Sequence, residues 1–233
     1  MRRILVVAPH PDDDILGCGE TLETAFASGD DVHIAYVTDG AASHPLSRRF
    51  PPARLATLRE AEATEAIRRL GGDASALHFL RLADGTLDAL STADRSLTIE
   101  RIRSLIAALR AEFVFLPWRR DPHPDHIAVS HLVREAARGV DCAPRLLEYP
   151  VWLPIRGTPA DEPTADEVVP IVFESRAGAR DRKRSALLAH RSQTTGLIDD
   201  DRSGFSMDAA LIERFLSMPE TFYEDVTSDA FAR

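Results

Sequence analysis

Ile4-Leu5-Val6-Val7-Ala8-Pro9-His10-Pro11-Asp12-Asp13-Asp14, near the start of a 233-residue chain, decides the architecture. Its first five residues are apolar without interruption, bounded by Arg3 and by the Pro-Asp cluster. A run that short and that continuous reads as a strand buried on both faces, as strands of parallel sheets are. A helix is expected over residues 14–28, with Gly29 as its C-terminal stop. A second strand follows over 31–37 and ends in Thr38-Asp39-Gly40.

The alternation continues outward from there. Leu55, Leu58, Ala66, Ile67 and Leu70 keep helical spacing until Gly71-Gly72 stops them, and residues 76–80 make a third strand ending near Asp84-Gly85. Ile102, Leu105, Ile106 and Leu109 mark another helix, 113–116 a fourth strand, and 125–138 the helix after it. Strand then helix, repeated in this way, predicts βαβ units and an α/β fold with a mainly parallel sheet. Later strands are expected over 146–152 and 168–173, and helices over 175–190 and 207–216. Residues 157–167 are polar and Pro-containing and read as a loop inside one domain spanning 1–233.

Ligands of open α/β sheets bind beyond the carboxyl ends of the strands, where strand order reverses. The segments after the first four strands carry His10 to Asp14, Asp39, Asp84 and Asp121 to His126, so the chemistry-bearing residues gather on one edge. With the order 3-2-1-4, the first and fourth strands are neighbours and their two clusters face each other. Those clusters are His10-Pro11-Asp12-Asp13-Asp14 and His123-Pro124-Asp125-His126. Two histidines and one aspartate from them satisfy a catalytic zinc site, which uses three protein ligands and keeps a position open. Acyl transfer also needs a carboxylate to take a proton from water and a donor for the oxyanion or the departing amine. An aspartate of the first cluster and a histidine of the second remain for those tasks, with Asp125 placed to hold that histidine in its tautomer and keep it cationic. Against this stands the plainer reading of each cluster as a capped turn before a helix; two such clusters at strand ends of one sheet favour the functional reading.

The formal net charge is −9, which argues against a nucleic acid partner. Cys18 and Cys142 are far apart and lack any paired spacing, which suits a reducing compartment. No targeting signal and no apolar stretch of bilayer-spanning length is visible. A cytoplasmic protein without a membrane span is expected, and a homo-oligomer is compatible with the sequence.

The two clusters resemble those of the PIG-L (LmbE-like) deacetylases, and the resemblance runs along almost the whole chain. Residues 8–19 are similar to that family's AHPDDE-x-LGCGG opening. Arg59, Glu62, Ala66, Leu70 and Gly71 resemble its RxxExxxAxxxLG helix, residues 121–126 its DPHPDH segment, and Lys183 to His190 with Ser192-Gln193 its C-terminal segment. The resemblance implies a Rossmann-like three-layer sandwich with a metal site at the carboxyl ends of the strands. It implies zinc-dependent hydrolysis of an N-acetyl group on an N-acetylglucosamine-type substrate, with iron(II) as the alternative metal. His10, Asp13 and His126 would be the metal ligands, Asp12 the general base on the attacking water, and His123 the oxyanion donor or general acid tuned by Asp125. Arg59 and Asp84 would contact the sugar. Two residues depart from the pattern: Asp14 stands where the family has Glu, and Glu20 where it has Gly, placing a carboxylate near the turn or the pocket floor.

A zinc amidase acting on a larger acyl group or a thiol conjugate is the second reading. A nucleotide-binding module is a distant third, because Gly17-Cys18-Gly19 lacks the third glycine of the dinucleotide fingerprint. His33, His78 and His131 read as structural, His44 as a loop residue that could rim the pocket, and Trp118 and Trp152 as core rather than sugar platforms. The basic run Arg176, Arg180, Arg182, Lys183, Arg184 and Arg191 reads as a solvated face, with an anionic part of the substrate as its other use. The segments 41–52 and 154–167 are expected to select the substrate.

Overall fold

Leu5, Val6, Val7 and Ala8 are wholly inaccessible because β1 (Arg3–Ala8) runs through the middle of a sheet covered on both faces. The computed structural model describes residues 1–226. Successive side chains of a strand point to opposite faces, and here the alternation divides the core in two. Ile4, Val6 and Ala8 pack with Ile15 and Leu22 of α1 (Asp13–Ala27), and Leu5 and Val7 face the other layer. β2 (Asp31–Thr38) leads to α2 (Pro52–Leu70), which joins α1 on the first face through Ile67 and Leu70. β3 (Leu77–Leu82), α3 (Thr92–Leu109), β4 (Phe113–Pro117) and α4 (Pro124–Ala137) follow, with Ile102 of α3 and Val133 of α4 covering the second face.

Beyond them come β5 (Arg145–Tyr149), the single turn α5 (Leu153–Arg156), β6 (Val168–Val172), α6 (Ala179–Leu187), the turn α7 (Arg191–Thr194), α8 (Ala209–Ser217) and β7 (Thr221–Asp225). The strands form one sheet in the order β3-β2-β1-β4-β5-β7-β6. The first five are mutually parallel, and β7 runs antiparallel to both β5 and β6. This is the expected three-layer α/β sandwich, and β1 and β4 are neighbours.

Several elements differ from expectation. β3 begins later, after a short 3-10 turn at Ala74–Ala76, and extends to Leu82. β5 stops at Tyr149, because Pro150 and the turn into α5 break the run expected to reach residue 152. The helix expected over 175–190 is α6 alone, entered through Gly178 in the left-handed conformation. β7 was not anticipated. Among the described residues no helix is long and apolar enough to cross a membrane.

Two glycines of the second turn of α1 are dictated by packing. A Cβ on Gly17 would lie 2.3 Å from Cδ2 of Tyr149, and one on Gly19 would lie 2.7 Å from Cγ of Lys183. Tyr149 is fully buried and donates its hydroxyl to the Val7 carbonyl at 2.9 Å, so its ring has nowhere to retreat. Gly17→Ala is therefore expected to lower stability by about 1–3 kcal/mol, as overpacking does. Denaturant unfolding measures this, and an unchanged midpoint would show that the helix can shift away from β5.

Candidate metal centre and cleft

The loops leaving β1 to β4 meet at the carboxyl edge of the sheet. Prolines on either side of His10 end β1, and Asp13 then opens α1. Asp13 Oδ2 accepts the backbone N–H of His10 at 2.9 Å, which folds the loop back and brings the carboxylate to His10 Nδ1 at 3.0 Å. The same oxygen lies 3.2 Å from Nε2 of His126, which the first turn of α4 carries in from β4. Donor atoms of His10, Asp13 and His126 all lie within 4.8 Å of one another, and the three residues are buried.

Their electrostatics have one common cause. Burial opposes charge on His10, yet Asp125, Asp13 and Asp84 outweigh it and hold its pKa well above the ordinary value. Burial likewise opposes charge on His126, but Asp13 and Asp121 raise it to about 9. Asp13 is held well below the carboxylate range despite burial, because His126 and His10 face it. The surrounding carboxylates thus favour positive charge at this point. Neither ring nitrogen of His126 makes a well-directed hydrogen bond, although Asp13 and Asp121 oxygens stand at 3.2 and 3.1 Å. Two imidazoles and a carboxylate converging in a buried, acidic surround fit a divalent cation of the zinc type.

Asp12 points toward Arg59, with Oδ2 and Nη2 3.0 Å apart and both residues buried. Burial raises the Asp12 carboxyl to about 6 against the pull of that guanidinium. Arg59 also donates to the carbonyls of Gly40 and Pro11, each at 2.9 Å. Gly40 has φ 65°, and a Cβ there would fall 2.5 Å from Arg59 Nη1, so glycine is what lets the guanidinium reach. Asp84 lies 3.0 Å from His10 Nε2 and accepts the Ala42 N–H at 2.9 Å. Its pKa is lowered to about 2 by His10, against the effect of burial.

His123 caps α4, its Nδ1 accepting the backbone N–H of Asp125 at 3.3 Å. Burial, with the charges of His126 and His10, lowers its pKa to about 4. The Asp125 carboxylate turns the other way: it accepts N–H groups of Gly85 at 2.8 Å and Leu87 at 3.2 Å and faces His10 Nε2 at 3.2 Å. Its link to His123 runs through the backbone rather than the side chain.

These residues floor a cleft of about 340 Å³, lined by His10, Asp12, Asp13, Arg59, Asp84 and His123. The walls add Ser203 and Phe205, which sequence patterns did not single out, together with Gln193 of the C-terminal motif, Ser43 and Arg156 from the two segments expected to select the substrate, and Trp152. Asp121 opens the second motif, whose pattern assigns it no role. Its Oδ2 accepts the N–H groups of Val151, Trp152 and Leu153 at 2.8, 2.8 and 3.2 Å while Oδ1 faces His126. Such contacts cross thirty residues of sequence and leave no local signal.

Asp14 accepts the Tyr36 hydroxyl at 2.9 Å, and burial lifts its pKa to about 7. Glu20 faces away from the cleft floor and pairs with Arg180 at 3.2 Å. The basic run is largely engaged there too: Arg176 and Arg182 meet Glu23, Lys183 meets Glu220 at 2.8 Å, and Arg184 meets Glu213. It is a paired face and does not line the cleft. His33 and His78 pair with each other at 3.1 Å on neighbouring strands, His131 lies on a separate groove, and His44 is buried behind Ser43. Trp118 is core, its indole N–H donating to the Asp161 carbonyl at 2.7 Å.

His190 is fully buried with neither ring nitrogen hydrogen-bonded, and burial, helped by Arg59, lowers its pKa to about 3. Below pH ~6.5 the unfolded chain protonates this histidine while the folded one does not. Stability is thus lost as pH falls toward 3, by up to about 1.4 kcal/mol per pH unit from this residue alone. His190→Gln is expected to flatten the stability profile between pH 6 and 4 by up to one proton; parallel profiles would refute the buried neutral state.

Residues 5–137, which include both histidine–aspartate motifs, match the PIG-L family, described as GlcNAc-PI de-N-acetylase. The probable N-acetyl-alpha-D-glucosaminyl L-malate deacetylase 2 of Bacillus cereus is 29% identical, over 91% of this chain and 93% of the relative. A 1D-myo-inositol 2-acetamido-2-deoxy-alpha-D-glucopyranoside deacetylase of Mycobacteroides abscessus is 27% identical, over 88% of this chain and 86% of its own. Among solved structures, a conserved protein from Thermus thermophilus is 32% identical with a TM-score of 0.60, covering 83% of this chain and 80% of that one. With the fold, the two motifs and these likenesses together, the chain belongs to the PIG-L family and is an enzyme of the hydrolases that act on amide C–N bonds.

Proposed function

We propose that the protein removes the acetyl group from the nitrogen of an N-acetylglucosamine-containing substrate, releasing acetate and a free amine, with zinc held by His10, Asp13 and His126. The observation that carries this is the convergence of those three donors at the base of a cleft lined by His10, Asp12, Asp13 and His123, with His126 buried behind them. When bound, the ion polarises the acetamide carbonyl and lowers the pKa of water at the site.

The protein's own groups do the rest. Asp12, with a carboxyl at about 6 and its orientation held by Arg59, accepts a proton from the attacking water. Having taken that proton, it returns it to the departing amine nitrogen. His123 has a different task. Its Nδ1 accepts the Asp125 N–H, which places the single ring proton of the neutral imidazole on Nε2. Neutral His123 is therefore a hydrogen-bond donor for the oxyanion, and its low pKa keeps it so at working pH. Asp84 and Asp125 orient the face of His10 that Asp13 leaves free.

Elemental analysis is expected to find about one zinc or iron per native chain and none on folded His126→Ala, with amine release from N-acetylglucosaminides abolished by a chelator. Asp12→Asn should keep the metal and lose roughly 10²- to 10⁴-fold in turnover. A metal-free but active native protein, or an Asp12→Asn variant of near-native rate, would sink the assignment.

A further inference from the structure

The cleft floor is acidic, and its outer wall is not. Beyond the cluster around His10, the wall presents Ser43, Gln193, Ser203, the rings of Trp152 and Phe205, and the side chain of Arg156. No carboxylate is among them, and Arg156 is the one charged residue of that wall among the described residues. Its guanidinium carbon sits 4.1 Å from the centroid of the Trp152 ring. No ion pair or side-chain hydrogen bond engages it among the described residues, whereas the arginines of the basic run on α6 meet Glu20, Glu23 and Glu213. Stacking occupies the face of a guanidinium and leaves its N–H edge for an acceptor in the plane.

The platform is rigid. Trp152 is 6% exposed and meets the rings of Phe205 and Phe215 edge-on, each at 5.7 Å between centroids. The turn that carries it is held by Asp121 through three backbone N–H groups, and Arg156 itself closes α5 by donating its N–H to the Trp152 carbonyl at 2.8 Å. A guanidinium presented in this way, with its N–H edge free, matches a negative group on the outer wall better than a neutral one, because charge-assisted hydrogen bonds are the stronger kind.

We propose that Arg156 on Trp152 forms an anion subsite, and that the group attached to the N-acetylglucosamine moiety carries a carboxylate or a phosphate. This rests on the deacetylase reading and narrows its substrate class. The sugar's acetamide reaches the floor while its anionic substituent meets the Arg156 edge by charge-assisted hydrogen bonds.

Three N-acetylglucosaminides with matched aglycones ending in carboxylate, phosphate or carboxamide decide the matter. They are assayed for amine release, and their deacetylated counterparts are titrated calorimetrically, on the native holoenzyme and on Arg156→Gln and Arg156→Lys. Native enzyme is expected to favour at least one anionic aglycone over the carboxamide by roughly five- to tenfold, mostly in KM and in Kd, and less so at high salt. That ratio should fall close to one in Arg156→Gln and return in part in Arg156→Lys; the better of the two anions names the chemistry. Equal handling of all three aglycones by native enzyme, or a ratio that Arg156→Gln leaves intact, overturns the subsite and leaves the deacetylase reading standing. If none of the three is hydrolysed, the deacetylase reading falls, and the calorimetric ratio still decides for or against Arg156.

Discussion

Parallel pairing of β1 with β4 is the contact on which the site depends. Its register sets Ile4 beside Phe113 and Val6 beside Phe115, which brings the ends of the two strands level. From those ends the chain departs to opposite faces: α1 packs in one core layer and α4 in the other. The crevice between diverging loops is where open α/β sheets bind ligands. Here Asp13 Oδ2 bridges it, touching His10 from its own loop and His126 from the loop after β4. A one-residue slip between these strands would turn one motif away from the other.

Five buried or nearly buried aspartates crowd this crevice, and buried charge is tolerated only when compensated. The compensation is largely backbone. Gly85 and Leu87 donate to Asp125, Ala42 to Asp84, and residues 151–153 to Asp121. Arg59 supplies the one side-chain cation fixed against Asp12. Such a floor is hostile to a diphosphate, whose charges would meet Asp12, Asp13 and Asp84 at the position where dinucleotide folds offer glycine N–H groups. The nucleotide-binding reading loses its physical basis there.

What was legible in the sequence is what depends on local pattern. β1 and β4 are short apolar runs buried on both faces, β2 is apolar and buried over its second half, and both histidine–aspartate motifs sit in turns whose prolines and aspartates announce them. β7 has no sequence signal because its five residues, Thr221–Asp225, are one threonine, two adjacent rings and two adjacent acids, with neither an apolar run nor an alternation of apolar and polar. Glu224 is buried there with Arg145 of β5 reaching across to it at 2.6 Å, a partner 79 residues away. The expected helix over 175–190 failed for a related reason: Gly178 and the Arg176 pairing to Glu23 hold the first residues in a turn. Arg59 was legible as a site residue, but not that its guanidinium would face Asp12 and two carbonyls.

Asp121 joins the His126 side of the cleft to the wall that bears Trp152 and Arg156. One of its oxygens faces His126 and the other gathers the N–H groups of the turn bearing Trp152 and Arg156. Those bonds go to backbone, so they hold the turn in place whatever side chains it carries. Residues 152 and 156 can therefore differ, and the wall they form can change its charge or shape, without disturbing His126 on the other side of the same carboxylate. Replacing Asp121 would do the opposite, loosening the His126 ring and the substrate wall together. One buried carboxylate thus holds the cleft wall through its backbone, so the side chains of that wall can change while the histidine–aspartate cluster stays in place.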